Sequence, residues 1–288
     1  MRGYTALHES AARLDPFDRG KIRVTGEDRA RLLHAMFTND VKSLASGQGN
    51  YHFLLNAQGR ILADANLHVF EDHILLDCEP ALTRKIFEHL DHYNIADDVQ
   101  LEDLTERLAT VAIEGPRAQE LAGGAPNGAP GSFTGQPGIW FFVDPAQSQE
   151  LAARAMETAT ADEARVVRVE NGVPQYGEDF GEANLPQETQ QSRALNFTKG
   201  CYLGQEIVER IRSRGQVHRL LVKIAIEGTE PPPAGAPVLA GEQEVGRLTS
   251  PVYSPRQGRC LGLGILKRDV AAAGSRLLVA GRPAQVLA

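Results

Sequence analysis

Thr198-Lys199-Gly200-Cys201-Tyr202-Leu203-Gly204-Gln205-Glu206 sets one of the chain's three cysteines between two glycines. Gly200 and Gly204 let the backbone take positive φ or pass close to a neighbouring group. Lys199 before the cysteine, and Arg210, Arg212 and Arg214 after it, are charges of the kind that favours a thiolate. Ile207, Val208 and Ile211 then recur at the spacing of one helix face. The stretch predicts a tight loop feeding a helix, with a sulfur at the junction. Such a cysteine is either an inert packed residue or a reactive thiol, and composition alone does not choose.

The surrounding composition narrows the class. A length of 288 residues suffices for two or three domains. The 42% hydrophobic and 23% charged shares are those of a soluble globular protein. A net charge of -7 argues against nonspecific nucleic-acid binding as the main activity. Cys78, Cys201 and Cys260 are widely spaced, which fits neither a disulfide framework nor a paired-cysteine metal site. A reducing, cytoplasmic setting is expected. Met1-Arg2-Gly3-Tyr4 has no apolar run behind it, and no stretch reaches the roughly 20 apolar residues of a membrane span. Neither a signal peptide nor a membrane partner is expected.

Towards the N-terminus, Lys21-Ile22-Arg23-Val24 predicts a strand and Thr25-Gly26-Glu27-Asp28 a helix cap. Leu32, Leu33, Met36 and Phe37 form the stripe of a helix that ends at Thr38-Asn39-Asp40. Residues 51–55, the turn Asn56-Ala57-Gln58-Gly59 and residues 60–70 read as a hairpin. Residues 73–78 add a third strand. Leu82, Ile86 and Leu90 mark an amphipathic helix, and residues 99–101 a closing strand. Next come a strand at 111–113, a helix opened by Gly115-Pro116 and a Gly/Pro-rich loop over 122–138. A strand at 139–143, a helix at 151–156 and a strand at 165–169 complete an α/β layer with a mixed or antiparallel sheet. Pro231-Pro232-Pro233 is a stiff connector. Beyond it, runs at 238–239, 245–248, 261–266 and 277–279, with 220–226 before it, have the spacing of a small β-barrel or sandwich.

Three places in this layout carry candidate chemistry. Asp64 sits among apolar neighbours on the second hairpin strand, either as an outward residue or as a carboxylate available as a base. Tyr51, at the head of the hairpin, is a candidate contact for a flat heterocycle. Between Arg193 and Lys223, five Arg and two Lys stand against two Glu, a local positive field in an acidic chain. That field is either a solvated face or a site for an anionic ligand or partner.

Lys199-Gly200-Cys201-Tyr202-Leu203-Gly204-Gln205-Glu206 resembles the signature of the YgfZ family of folate-binding proteins, which assist iron–sulfur cluster proteins. The resemblance runs from about Gly26 to the C-terminus. It implies an α+β, aminomethyltransferase-like fold of two interleaved α/β units and a C-terminal β-barrel. Residues 1–45 and 106–215 would form a discontinuous folate-binding domain, 46–105 an inserted α+β domain and 216–288 the barrel. Arg168-Val169-Glu170-Asn171-Gly172-Val173-Pro174-Gln175-Tyr176-Gly177 resembles the folate-site pattern of this fold. There Glu170, leaving a strand, would accept the paired N–H donors of a pterin. Leu185-Pro186-Gln187-Glu188 resembles a loop of the YgfZ side of the fold. Gly59-Arg60-Ile61-Leu62-Ala63-Asp64 resembles the segment where aminomethyltransferases carry paired aspartates, with Ala63 replacing one of them.

The implied cofactor is tetrahydrofolate or a one-carbon derivative. The implied ligand set is Glu170, Tyr51, Asp64, Lys199, Tyr202 and Arg210, with Cys201 and Asp64 as catalytic candidates. The implied partners are iron–sulfur client or assembly proteins. One cysteine is too few to bind a cluster alone, so any cluster contact would be shared. The alternative is a folate-dependent aminomethyl or one-carbon transferase with Asp64 as its base.

Overall fold

The computed structural model describes residues 1–122, 128–153 and 157–288. Its sheets are assembled from distant chain segments. The first has the spatial order Thr158–Ala159, Ala12–Leu14, Ala109–Glu114, Gly138–Val143, Gly128–Pro130. The second has the order Gly49–Leu55, Ile61–Val69, Ile74–Cys78, Gly20–Thr25, Gln100–Asp103, antiparallel throughout. Helices Arg29–Met36 and Thr83–Tyr93 cover one face of the second sheet, burying Leu32, Leu33, Ile86 and Leu90 against Ile22, Ala63 and Leu67. Gly20–Thr25 pairs with Ile74–Cys78, so this sheet takes in a strand from before the unit expected at 46–105.

The C-terminal strands close on themselves. Arg219–Ile226, Arg282–Val286, Arg276–Val279, Pro237–Ala240, Gln243–Leu248 and Arg259–Lys267 follow in a ring, and the last pairs back onto the first over eight residue positions. Val252–Ser254 adds to the outside of Arg259–Lys267. Closure leaves no free sheet edge among the six ring strands.

The structure corrects one predicted element outright. Residues 165–169 are not a strand but the second half of helix Ala161–Glu170. The run of β-branched valines suggests a strand, but a capping box decides otherwise. Thr160 Oγ1 accepts from Glu163 N at 3.2 Å, and Thr160 N donates to Glu163 Oε2 at 3.0 Å. The helix predicted at 151–156 runs over Pro145–Ala152, and its predicted end at 154–156 lies outside the described residues. Part of the Gly/Pro-rich segment forms the edge strand Gly128–Pro130, while 123–127 again lies outside the described residues. Helix Arg2–Glu9 and strands Ala12–Leu14, Val252–Ser254 and Arg282–Val286 are too short for periodicity to identify. No helix among the described residues is long and apolar enough to cross a membrane.

Candidate functional site

Asp64 lies on Ile61–Val69, where side chains alternate between the two faces of the sheet. Ala63, Ala65 and Leu67 pack into the apolar core beneath the helices. Asp64 and Asn66 point the other way, into a pocket closed by Arg19, Tyr51, Phe133, Trp140, Arg168 and Tyr176. A second acid at position 63 would therefore face the core, so Ala63 does not alter the pocket. Asp64 is only 8% exposed, not an outward strand residue.

Tyr51 comes from the partner strand and donates its hydroxyl to Asp64 Oδ2 at 2.7 Å. Asp64 Oδ1 is buried and has no hydrogen-bond partner among the described residues. Burial pushes the Asp64 carboxyl up to about 6; the Tyr51 hydroxyl and the Arg19 charge oppose that rise. Burial and the Asp64 carboxylate together push the Tyr51 phenol well above its ordinary range, so it stays a donor. The pair thus presents one carboxylate oxygen with an open acceptor position. Trp140 Nε1 is satisfied by Glu114 at 3.0 Å, which leaves its ring as an apolar wall. The Arg193 guanidinium stands 4.8 Å from the Tyr51 ring centroid and makes no ion pair among the described residues. The pocket therefore combines a buried acceptor, aromatic walls and an unpaired cation beside the acceptor's tyrosine.

Glu170 is not part of this pocket. It is the last residue of helix Ala161–Glu170 rather than a strand residue. Its Oε1 accepts from Tyr4 Oη at 2.7 Å and from Ser254 Oγ at 2.5 Å, and its Oε2 lies 2.8 Å from His8 Nε2. Arg256 Nη1 lies 2.8 Å from His8 Nδ1. Arginine can only donate, so His8 Nδ1 accepts, and Nε2 carries the proton given to Glu170. Glu170 is thus a clasp between the N-terminal helix and the barrel; expected as a pterin ligand, it lies outside the Asp64 pocket with both carboxylate oxygens engaged by protein groups.

The Cys201 loop is a separate construction. Gly204 has φ +82°, and a Cβ there would come within 2.6 Å of Asn56 O. The hairpin turn Asn56–Gly59 can seat against helix Gln205–Arg214 only because position 204 has no side chain. Gly200 also has positive φ but faces open space. The Lys199 ammonium donates to His34 O and Phe37 O, closing the C-terminal end of helix Arg29–Met36. Burial pushes this lysine down to about 7. Its ammonium also lies over the face of Tyr202, 4.8 Å to the centroid, and its carbonyl lies 2.8 Å from His34 Nε2. Tyr202 is a core residue packed with Phe53, Leu55, Ile61 and Val208. Gln205 Oε1 accepts from Tyr202 N at 3.3 Å and steadies the loop. Cys201, Glu206 and Arg210 are exposed, and the Arg214 side chain lies outside the described residues. Lys199, Tyr202 and Arg210, expected as folate contacts, thus lie outside the Asp64 pocket. Cys78 and Cys260 are buried, as expected of packing residues.

Two residues organise the site without having been singled out for it. Asn39 Nδ2 donates to Tyr51 O at 3.1 Å and to Arg193 O at 2.9 Å, so one amide holds both members of the cation–ring pair. Read as helix termination, the Thr38-Asn39-Asp40 turn gives no hint of this contact across 154 residues. Arg19, buried beside Trp140, has no local sequence signal at all. Among the described residues, no group of His, Cys, Asp and Glu could hold a metal ion.

Comparison with known proteins meets the architecture at this point. Residues 2–127 match the GCVT N-terminal domain, and residues 219–287 match the glycine cleavage T-protein C-terminal barrel domain. The glycine cleavage system aminomethyltransferase T of Bartonella henselae superimposes with a TM-score of 0.88 at 19% identity, covering 100% of this chain and 88% of that one. This chain has the aminomethyltransferase fold of the glycine cleavage T-protein. An aminomethyltransferase of Rubrobacter xylanophilus is 28% identical over 98% of this chain and 83% of its own length. One from Streptomyces avermitilis is 25% identical over 94% of this chain and 82% of its own. A putative chloroplastic transferase of Arabidopsis thaliana is 26% identical over 90% and 66%. The T-protein match begins at residue 2, well before Gly26, where the resemblance to the YgfZ family starts.

Proposed function

We propose that the Asp64 pocket binds tetrahydrofolate or a one-carbon derivative and serves folate-dependent one-carbon transfer. Of the two readings of the sequence, the names of the relatives support the aminomethyltransferase alternative better than the iron–sulfur role. The observation that carries the proposal is the open Asp64 Oδ1, buried inside a pocket walled by aromatic rings. A buried carboxylate oxygen without a partner calls for a donor, and a folate N–H is a donor of the right kind. Tetrahydrofolate would supply the nitrogen that gains or releases the one-carbon unit. Asp64 would accept a proton or hydrogen bond from the bound ring, with Tyr51 fixing its orientation. Trp140, Phe133 and Tyr176 would flank the ring, and Arg193 would meet the anionic glutamate tail.

The test is titration of tetrahydrofolate into wild type and Asp64→Asn by calorimetry, followed by an aminomethyl-transfer assay. Loss of Asp64 should weaken binding by about 1–3 kcal/mol, the cost of losing a charged hydrogen-bond partner. Equal affinity in both proteins would remove Asp64 from the site.

A second reading rests on the other region. Cys201 is exposed on a loop that resembles the YgfZ signature, which suits contact with an iron–sulfur client or assembly protein. A reducing, cytoplasmic setting would suit its free thiol. Rescue of an iron–sulfur enzyme by wild type but not by Cys201→Ala, in cells lacking their own YgfZ-type protein, supports this role. Equal rescue by both assigns the thiol no part in it.

A further inference from the structure

Arg19 enters the Asp64 pocket from the segment just before strand Gly20–Thr25, and its guanidinium is held on three sides. Nε donates to Asp77 Oδ1 at 2.8 Å, and Nη1 donates to Glu79 Oε1 at 2.6 Å. The guanidinium carbon lies 5.5 Å from the Trp140 ring centroid. Asp77 is fixed in turn by Asn66 Nδ2 at 3.1 Å and by His68 Nε2 at 2.5 Å. Arg19 is 6% exposed and Asp77 fully buried. A buried arginine tied to two acids would be mere scaffolding if no functional group felt its charge. Here Asp64 and Tyr51 both do.

The charged and titratable groups around Asp64 are Tyr51, Arg19, Glu79, Arg168, Tyr176 and Arg193. Tyr51 and Tyr176 stay neutral hydroxyls, both raised by burial. Arg168 is spent on Asp179 at 2.7 Å and Glu178 at 2.6 Å. Arg193 sits over the Tyr51 ring, 4.8 Å from its centroid, and acts on the phenol. Arg19 and Glu79 remain, bonded to each other and acting on Asp64 with opposite sign.

We propose that Arg19 is a positioning residue of the Asp64 site: Asp77 and Glu79 fix its guanidinium beside the pocket, so that its charge keeps Asp64 a proton acceptor toward a bound ring. Burial drives the carboxyl toward its protonated form, and Glu79 drives it further; Arg19 pulls it back. A protonated Asp64 would keep a carbonyl oxygen that accepts a hydrogen bond, but it could not take a proton from a ligand and would lose the charge that makes it a strong acceptor. The consequence for ligand binding rests on the folate reading above, while the electrostatic role of Arg19 does not.

The experiment follows the Asp64 carboxyl carbon by NMR across pH in the full chain labelled at aspartate, its resonance identified by its absence in Asp64→Asn. Arg19→Gln should move the Asp64 midpoint upward by about one pH unit, as expected for removal of a nearby opposite charge. Arg19→Lys should restore part of that shift. Glu79→Gln should move the midpoint downward. An unmoved midpoint in folded Arg19→Gln, or shifts of the same sign in the Arg19 and Glu79 variants, overturns the proposal. If Arg19→Gln does not fold, Glu79→Gln decides alone, because the Glu79 side chain is 26% exposed and its loss is tolerable. An unmoved or raised midpoint there overturns the proposal as well. Tetrahydrofolate titrations of the same proteins separate the two readings. Opposed midpoint shifts without folate binding by wild type uphold Arg19 and sink the folate site. Folate binding with unmoved midpoints does the reverse.

Discussion

Asp64 is reached by side chains from several distant chain segments, whereas Cys201 is exposed on a loop whose partners are chiefly backbone atoms. The pocket is built from burial. Its acceptor is shifted, its tyrosine is oriented, and Arg19 and Arg168 are anchored by acids. The loop is built from shape. Lys199 closes a helix, Tyr202 fills a core, Gly204 makes room for a turn, and the thiol is left in solvent. A contiguous motif therefore marks where the backbone is constrained, and convergent residues mark where chemistry is possible.

If that division holds, substitutions in the two regions fail in different assays. Asp64→Asn carries the largest expected effect, a loss of about 100-fold or more in folate-dependent transfer, the usual contribution of a general base. The same change should stabilise the fold. Asp64 has a folded-state value of about 6, above that of an unfolded aspartate. Its ionisation therefore costs stability as pH rises from about 4 through 6, and Asn avoids that cost. Thermal melts should show Asp64→Asn gaining about 2–3 kcal/mol at pH 8 and nothing near pH 4. A variant equally stable at both pH values would mean the carboxylate is not buried as described.

Gly204→Ala should cost about 2–4 kcal/mol by denaturant melts, since it combines positive φ with a clash against Asn56 O. Gly200→Ala meets open space and should cost only about 1–2 kcal/mol, the backbone term alone. Equal costs at the two glycines would mean the loop does not seat on the hairpin turn. Asn39→Ala removes the amide shared by Tyr51 and Arg193 and should lower stability by about 1–3 kcal/mol while weakening folate binding. Cys201→Ser should be the mildest, within about 0.5 kcal/mol of wild type and with unchanged folate affinity. In wild type a thiol reagent should modify Cys201 rapidly and spare Cys78 and Cys260 until the chain unfolds. Altered folate affinity in Cys201→Ser would show that loop and pocket are not independent.

The fold was legible wherever periodicity or a turn had room to speak. The hairpin at 51–70, the helix stripe from Leu32 to Phe37 and the barrel runs all sit near their expected places. The valines of 165–169 misled because β-branching outweighs a capping box in a short window. Of the site, Tyr51 and Asp64 were visible because a hairpin brings its own strands together. Glu170 has the right chemistry, but its environment is made by Tyr4, His8 and Ser254, which no local pattern joins to it. Arg19 and Asn39 were missed for the same reason, since their partners come from other strands and loops.

The Glu170 clasp bears on how the chain is made. Arg256 is translated 248 residues after His8, yet its Nη1 lies 2.8 Å from the His8 ring that holds Glu170. Until the barrel strands emerge from the ribosome, helix Arg2–Glu9 can pack Tyr4 and Leu7 with Ala12, Ala164 and Val167, but the Glu170 clasp lacks Ser254 and Arg256. Protease protection of that first helix on stalled nascent chains should therefore become complete only after the segment holding Ser254 and Arg256 has cleared the exit tunnel.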